Sequence, residues 1–237
     1  MTENNGGFSK TKPGGYEYVW GDEFDGDTLD FTKWRFGENM TSRPNMAILY
    51  DDPRVVRVAD GMLKMNTIRY WDPADPLLKY AATYSVQTQY TMNFRYGYLE
   101  MRAKVPYKTA AWPSFWLNSN GKVAPFRETG PDGYRIEVDI FEAFSDTRAC
   151  ANIHKHYSNR SRDPYHTQYP PIDQCHDFKD DEKRSEEYHT YGFKWTPTEM
   201  SMYMDGECYR TFDITVDYDN SGNMDAFHDH LYVIFNN

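Results

Sequence analysis

An all-β sandwich or jelly roll is the fold class that the sequence predicts, on three observations. Apolar and aromatic residues come in short bursts with turn residues between them. Residues 97–105 alternate strictly, with Gly97, Leu99, Met101, Ala103 and Val105 on one face and Tyr98, Glu100, Arg102 and Lys104 on the other. No segment sustains the 3.6-residue period of a long helix. A chain of 237 residues is long enough to bury the core of one large domain.

The bursts follow one another along the chain as predicted strands. They are Tyr16–Trp20, Val55–Val58, Met62–Ile68, Tyr84–Tyr90, Tyr96–Val105 and Trp112–Leu117, then Ile136–Phe144, Asn152–Tyr157, His189–Trp195, Met200–Met204, Tyr209–Ile214 and Leu231–Phe235. Asp205-Gly206 joins two of them as a hairpin turn, because both central positions of such a turn favour residues that tolerate positive φ. Residues 157–187 are polar and Pro-rich and read as one long loop, a kind of segment that often carries function. Residues 1–15 are polar and Gly-rich and read as a flexible lead-in with no apolar signal-peptide core. Residues 16–237 read as one domain, without repeats or a linker.

One strand is chemically unusual. Glu137-Val138-Asp139-Ile140-Phe141-Glu142 sets three carboxylates in an otherwise apolar run, Tyr134 to Phe144. Desolvating carboxylates is costly unless they are paired or functional. Strand alternation puts Glu137 and Asp139 on one face and Glu142 on the other. A single β-bulge between Asp139 and Glu142 brings all three to the same face. Inward-leaning Glu137 and Glu142 could then approach the ~5–5.5 Å carboxyl separation of a retaining glycosidase.

Composition narrows the partners. A net charge of −10 argues against nucleic acid or an anionic membrane as ligand. It leaves a polysaccharide open. Aromatic residues make up 17% of the chain, enough to supply both a core and sugar-stacking faces. No apolar run reaches the length of a membrane span. Cys150, Cys175 and Cys208 allow at most one bridge: Cys150 with Cys175, closing the polar segment, or none.

The chain resembles glycoside hydrolase family 16, the laminarinase, agarase and porphyranase-like endo-glycanases. The signature Glu-x-Asp-x-x-Glu stands as Glu137–Glu142. It is flanked in order by WGDEFDGDTLDFTKW (20–34), DGMLKMNT (60–67), YGYLEMRAKVP (96–106), WPSFW (112–116), HTYGFKWTP (189–197), MYMDGE (202–207) and LYVIFN (231–236). The resemblance implies a concanavalin-like jelly roll of two antiparallel sheets, one of them concave and forming a cleft for an extended β-linked polysaccharide. It implies Glu137 as nucleophile, Glu142 as acid/base and Asp139 between them, separating their pKa values. It implies Trp112, Trp116, Trp195, His154 and Asn236 as substrate-binding residues. Arg135, beside the cleft, could read a sulfate or an acidic sugar.

The resemblance requires no cofactor. Such enzymes often hold a structural calcium ion through acids near the first strand, here Glu23 or Asp25, and an Asp of a last strand. The family pattern continues past the late strand with a Gly-containing turn and further strands, whereas this sequence stops at Asn237: either C-terminal strands are missing, and with them the last calcium ligand, or the sheet closes differently. The expected protein is a monomer that is exported to the cell surface, periplasm or medium, where polymers are found. The reaction is hydrolysis with retention of configuration. The alternatives are transglycosylation through the same triad and a non-catalytic carbohydrate-binding relative, since fold alone does not fix function. Metal catalysis is a weaker reading: His154 and His156 with His176 or Cys175 match no standard zinc spacing.

Overall fold

A computed structural model describes residues 13–37, 46–48, 52–69, 74, 80–82, 85–105, 112–119, 134–143, 148–157, 166–168, 175–177, 185–218 and 224–237. The described strands are β1 (Arg35–Phe36), β2 (Met46–Ile48), β3 (Val56–Val58), β4 (Leu63–Met65), β5 (Ile68–Arg69), β6 (Tyr80–Ala82), β7 (Val86–Gln87), β8 (Gly97–Ala103) and β9 (Ser114–Ser119). They continue with β10 (Tyr134–Ala143), β11 (Arg148–Tyr157), β12 (His166–Gln168), β13 (Cys175–Asp177), β14 (His189–Trp195), β15 (Glu199–Met204), β16 (Glu207–Asp213) and β17 (Leu231–Asn236). The described helical structure is one 3₁₀ turn, Asp225–His228.

Two antiparallel sheets form the sandwich. The larger runs β1-β7-β17-β9-β10-β11-β12, with β13 also paired to β11, and the smaller runs β16-β15-β14-β8. Their facing sides make the core. Leu117, Ile136, Val138, Phe141 and Ile153 of the larger sheet meet Tyr191, Phe193, Trp195, Met200, Met202 and Phe212 of the smaller, all at 2% exposure or less. The Phe141 and Tyr191 rings stand 4.4 Å apart across the interface. Phe227 of the 3₁₀ turn is fully buried in the same core. Two small sheets lie outside this frame: β3-β4, and β2-β6-β5, in which β2 and β6 are parallel.

Most predicted strands from Val55 onward are found with shifted ends, Met62–Ile68 as the two strands β4 and β5 of different sheets. Asp205 and Gly206 both have positive φ (50° and 83°) and turn β15 into β16. Three expectations need correction. Tyr16–Trp20 forms no strand; Trp20 instead packs edge-on against Trp34 and Phe94, with ring centroids 5.4 and 5.5 Å away. Tyr84–Tyr90 shortens to the two residues of β7, with Tyr84 outside the described residues. Segment 157–187 is not one loop. β12 and β13 lie within it and pair with β11, which begins at Arg148 rather than Asn152. A long edge offers backbone donors and acceptors whatever the side-chain pattern of the segment that joins it. Residues 1–12 of the lead-in, Phe144, and the rest of 158–184 outside β12 and β13 lie outside the described residues.

Cys150 is disulfide-bonded and stands opposite Cys175 in the β11–β13 register, while Cys208 is free and exposed.

Candidate active site

The bulge that alternation requires is present. β10 pairs Glu137 with His154 and Asp139 with Asn152, then jumps to Glu142 opposite Cys150. On its other side it pairs Asp139 with Trp116, then Phe141 with Phe115. One extra residue therefore lies between Asp139 and Glu142. Ile136, Val138, Ile140 and Phe141 pack into the core. The three acids occupy the opposite face.

Each acid has its own surroundings. Glu137 Oε2 is 2.9 Å from Nε2 of His156. Asp139 is 2% exposed, and its Oδ2 lies 3.1 Å from Nε2 of His154. That is an ion-pair distance, and the angle falls short of a well-formed hydrogen bond. Glu142 accepts hydrogen bonds from Trp112 Nε1 at 2.9 Å and Asn152 Nδ2 at 3.2 Å.

These surroundings separate the protonation states. Burial alone would raise Glu137. The His156 hydrogen bond and the charges of His156, His154 and Arg135 outweigh it, holding Glu137 below the usual carboxylate range. Burial, then the charge of Glu137, push Asp139 well up, against a hydrogen bond from Glu142. Burial, then the charge of Asp139, push Glu142 up to about 8, against the bonds from Trp112 and Asn152. Near neutral pH the strand thus carries an ionised Glu137 and a protonated Glu142.

The predicted binding residues divide. Trp112 and Trp116 border the acids and are half-buried, with Trp116 Nε1 donating to Asn236 Oδ1 at 2.6 Å. Asn236 is 7% exposed, and its Nδ2 also donates to the Trp112 carbonyl at 3.0 Å. Its amide ties the two tryptophans together. Arg135 is exposed on the acid-bearing face, opposite His156 in register. Trp195 needs correction. It lies on β14 of the smaller sheet at 2% exposure, packed against Tyr96 and Phe193, and has no face toward the cleft.

Sequence reasoning gave His156 only the parity of His154 and gave Asn152 no role. The signal was present in the two-residue period of Asn152, His154 and His156, which sets them opposite Asp139, Glu137 and Arg135. The same period forces Lys155 inward, to 1% exposure, with its Nζ 5.9 Å from the Phe227 ring centre.

Ligand atoms of Glu137, Asp139 and His154 lie within 4.8 Å of one another, close enough to hold a cation. His154 and His156 each face a carboxylate, while the side chains of His176 and Cys175 lie outside the described residues. Glu23 and Asp25 are both exposed and belong to no group of three ligand-bearing side chains among the described residues. They do not fit a calcium site on their own.

A two-sheet jelly roll with a bulged Glu-x-Asp-x-x-Glu strand in its larger sheet is the arrangement of glycoside hydrolases with a concanavalin-like sandwich. The chain belongs to family 16 of these enzymes: the family described as beta-porphyranase A-D, GH16 domain, matches residues 19–236. It is 25% identical over 214 residues to glucan endo-1,3-beta-glucosidase A1 of Niallia circulans, covering 82% of this chain but only 29% of that relative. Among solved structures it resembles SCLam, a non-specific endo-beta-1,3(4)-glucanase from family GH16 (26% identity, TM-score 0.70, 94% of this chain and 81% of that one). It also resembles a chain from work on endo-acting O-glycanases that prominent members of the human gut microbiota express to initiate mucin breakdown (27% identity, TM-score 0.72, 96% and 82%).

Proposed function

We propose that residues 16–237 form the catalytic domain of a retaining, endo-acting glycanase that cleaves a β-linked polysaccharide. The observation that carries the reading is the opposite protonation of two glutamates on one bulged strand. A retaining glycosidase needs that pair. The Glu137 carboxylate attacks the anomeric carbon as the glycosidic C–O bond breaks. Glu142 gives its proton to the departing oxygen. In the second half, Glu142 takes a proton from water, the water oxygen attacks the anomeric carbon, and Glu137 is released. His156 keeps Glu137 ionised and aimed. Asp139 hinders loss of the Glu142 proton before substrate arrives, because a second charge beside it is unfavourable.

For the polymer, a red-algal galactan is the first choice. The matched family is described as beta-porphyranase, and the exposed Arg135 guanidinium beside the nucleophile suits a sulfated or acidic sugar. A β-1,3 or mixed-linkage glucan is the second, favoured by the glucanase relatives. Trp112 and Trp116 supply aromatic surface beside the scissile bond for either. No helix among the described residues is long and apolar enough to cross a membrane. The disulfide at Cys150 supports an exported enzyme, since such bonds persist in oxidising compartments.

The test is product analysis on porphyran, agarose, κ-carrageenan, laminarin, lichenan and mucin glycans, with Glu137→Gln alongside. Short oligosaccharides from one polymer, absent with the variant, are expected. Products longer than a starting oligosaccharide would move the reading to transglycosylation. Glycan binding without cleavage by the unaltered protein would move it to a binding module.

A further inference from the structure

The insertion that gathers the three acids leaves one peptide out of the ladder. Ile140 has no Cα partner in the register with β9 or with β11. Its carbonyl instead accepts a hydrogen bond from the Tyr209 hydroxyl at 3.1 Å. Tyr209 belongs to β16, at the far edge of the other sheet. It is an inserted residue itself: β15 and β16 pair Met202 with Arg210 but Tyr203 with Cys208, which skips Tyr209. A bulge in the smaller sheet thus reaches through the sandwich to cap the bulge of the acid-bearing strand. Bulges re-aim side chains, and their extra residue needs some other hydrogen-bond partner.

We propose that Tyr209 is a positioning residue of the active site, fixing the Ile140 peptide and through it the relative placement of Asp139 and Glu142. The inference rests on the glycanase reading for its kinetic consequences. The physical link does not depend on that reading. Asp139 is bonded to Ile140 directly, and Glu142 is two residues beyond it. Phe141, between them, is gripped by Tyr191. The hydroxyl of Tyr209 is the described polar side chain that holds the Ile140 carbonyl from the core side. With it in place the peptide has one orientation. Without it the peptide is free to rotate toward other partners, and the Glu142 carboxyl moves against Trp112, Asn152 and Asp139.

Tyr209→Phe keeps the ring and removes only the hydroxyl. The expected result is a kcat about tenfold lower with KM little changed, since small misplacements of reacting groups are costly. The control is Ser201→Ala, which removes a buried hydroxyl bonded to Thr211 on the same hairpin and leaves the Tyr209 hydroxyl and its Ile140 partner in place. It is expected to lower thermal stability while leaving kcat unchanged. A second readout is independent of catalysis: the titration of Glu142, followed by carboxyl ¹³C NMR in the unaltered protein and in Tyr209→Phe. Glu142 is faced by Asp139, Glu137, Trp112 and Asn152, with the His154 and His156 imidazoles and the Arg135 guanidinium on the same strand face. Loosening the bulge admits water, so the midpoint is expected to fall by about half a pH unit or more. The Ser201→Ala midpoint is expected to stay in place. If the unaltered protein cleaves nothing, the glycanase reading fails and the NMR midpoint alone decides the role of Tyr209. An unmoved midpoint in Tyr209→Phe, with or without a drop in stability, overturns the proposal.

Discussion

Individual residues of this site work in pairs drawn from neighbouring strands. His156 is the clearest case, because its hydrogen bond is the largest influence lowering Glu137 against the pull of burial. Replacing it with Ala leaves burial to dominate, so Glu137 titrates at higher pH. The acid limb of the kcat/KM profile, which reports the free enzyme's nucleophile, is expected to move to higher pH. The alkaline limb near pH 8, set by Glu142, should stay within a few tenths. A pH–rate series on the best substrate checks this, and an unmoved acid limb rules out His156 as the group that keeps Glu137 ionised. The three acids were legible in the sequence because charge in an apolar strand is conspicuous. Trp195 was misread because aromatic residues serve core and cleft alike; only its place on β14, in the sheet away from the acids, separates the two uses.

At the scale of elements, the bulge on β10 decides the site. Without it, plain alternation turns Glu142 toward Phe193 and Tyr191 and turns Phe141 toward the cleft. Deleting Ile140 removes the inserted residue instead, which leaves Glu137, Asp139 and Glu142 at a 1, 3, 5 spacing on the cleft face with Phe141 still turned inward. The expected outcome is lowered activity, because a bulge bends its strand and re-aims the side chains beside it, with cooperative unfolding retained. A urea titration followed by tryptophan fluorescence checks the unfolding. A deletion variant that unfolds cooperatively and retains activity would show that the bulge is dispensable. The bulge could be inferred from spacing alone, since three acids in a 1, 3, 6 pattern share a face only if one residue is inserted. β12 and β13 could not. Their residues carry no alternating apolar pattern, and they exist because the edge of β11 offers a ladder. Lys155 was illegible for a related reason: it reads as a solvated strand residue, yet the histidines on either side claim the cleft face.

Across the whole molecule the site imposes a pH-dependent cost on folding. Glu142 titrates near 8 in the folded protein against an ordinary value of 4.5. The folded state therefore holds a proton that the unfolded state releases between those pH values. Stability that is complete below about pH 4.5 is lost as pH rises toward 8. Asp139 acts in the same direction. Glu137, whose value is lowered, acts in the opposite one: its contribution is present above the ordinary glutamate range and is lost as pH falls. Glu142→Gln removes the largest readable part of the alkaline loss. The full shift corresponds to a ceiling of about 5 kcal/mol, and proton sharing with Asp139 and contact with water in the cleft reduce it to about 2–3 kcal/mol. The variant should then melt about 5–10 °C above the unaltered protein at pH 8.5 and within a degree or two of it at pH 4.5. Calorimetry at the two pH values separates this from a generic effect, because a substitution that merely improved packing would raise both melting temperatures alike. Equal gains at both values would mean that Glu142 gives up its proton as readily in the fold as in water, and the acid/base assignment would lose its physical basis.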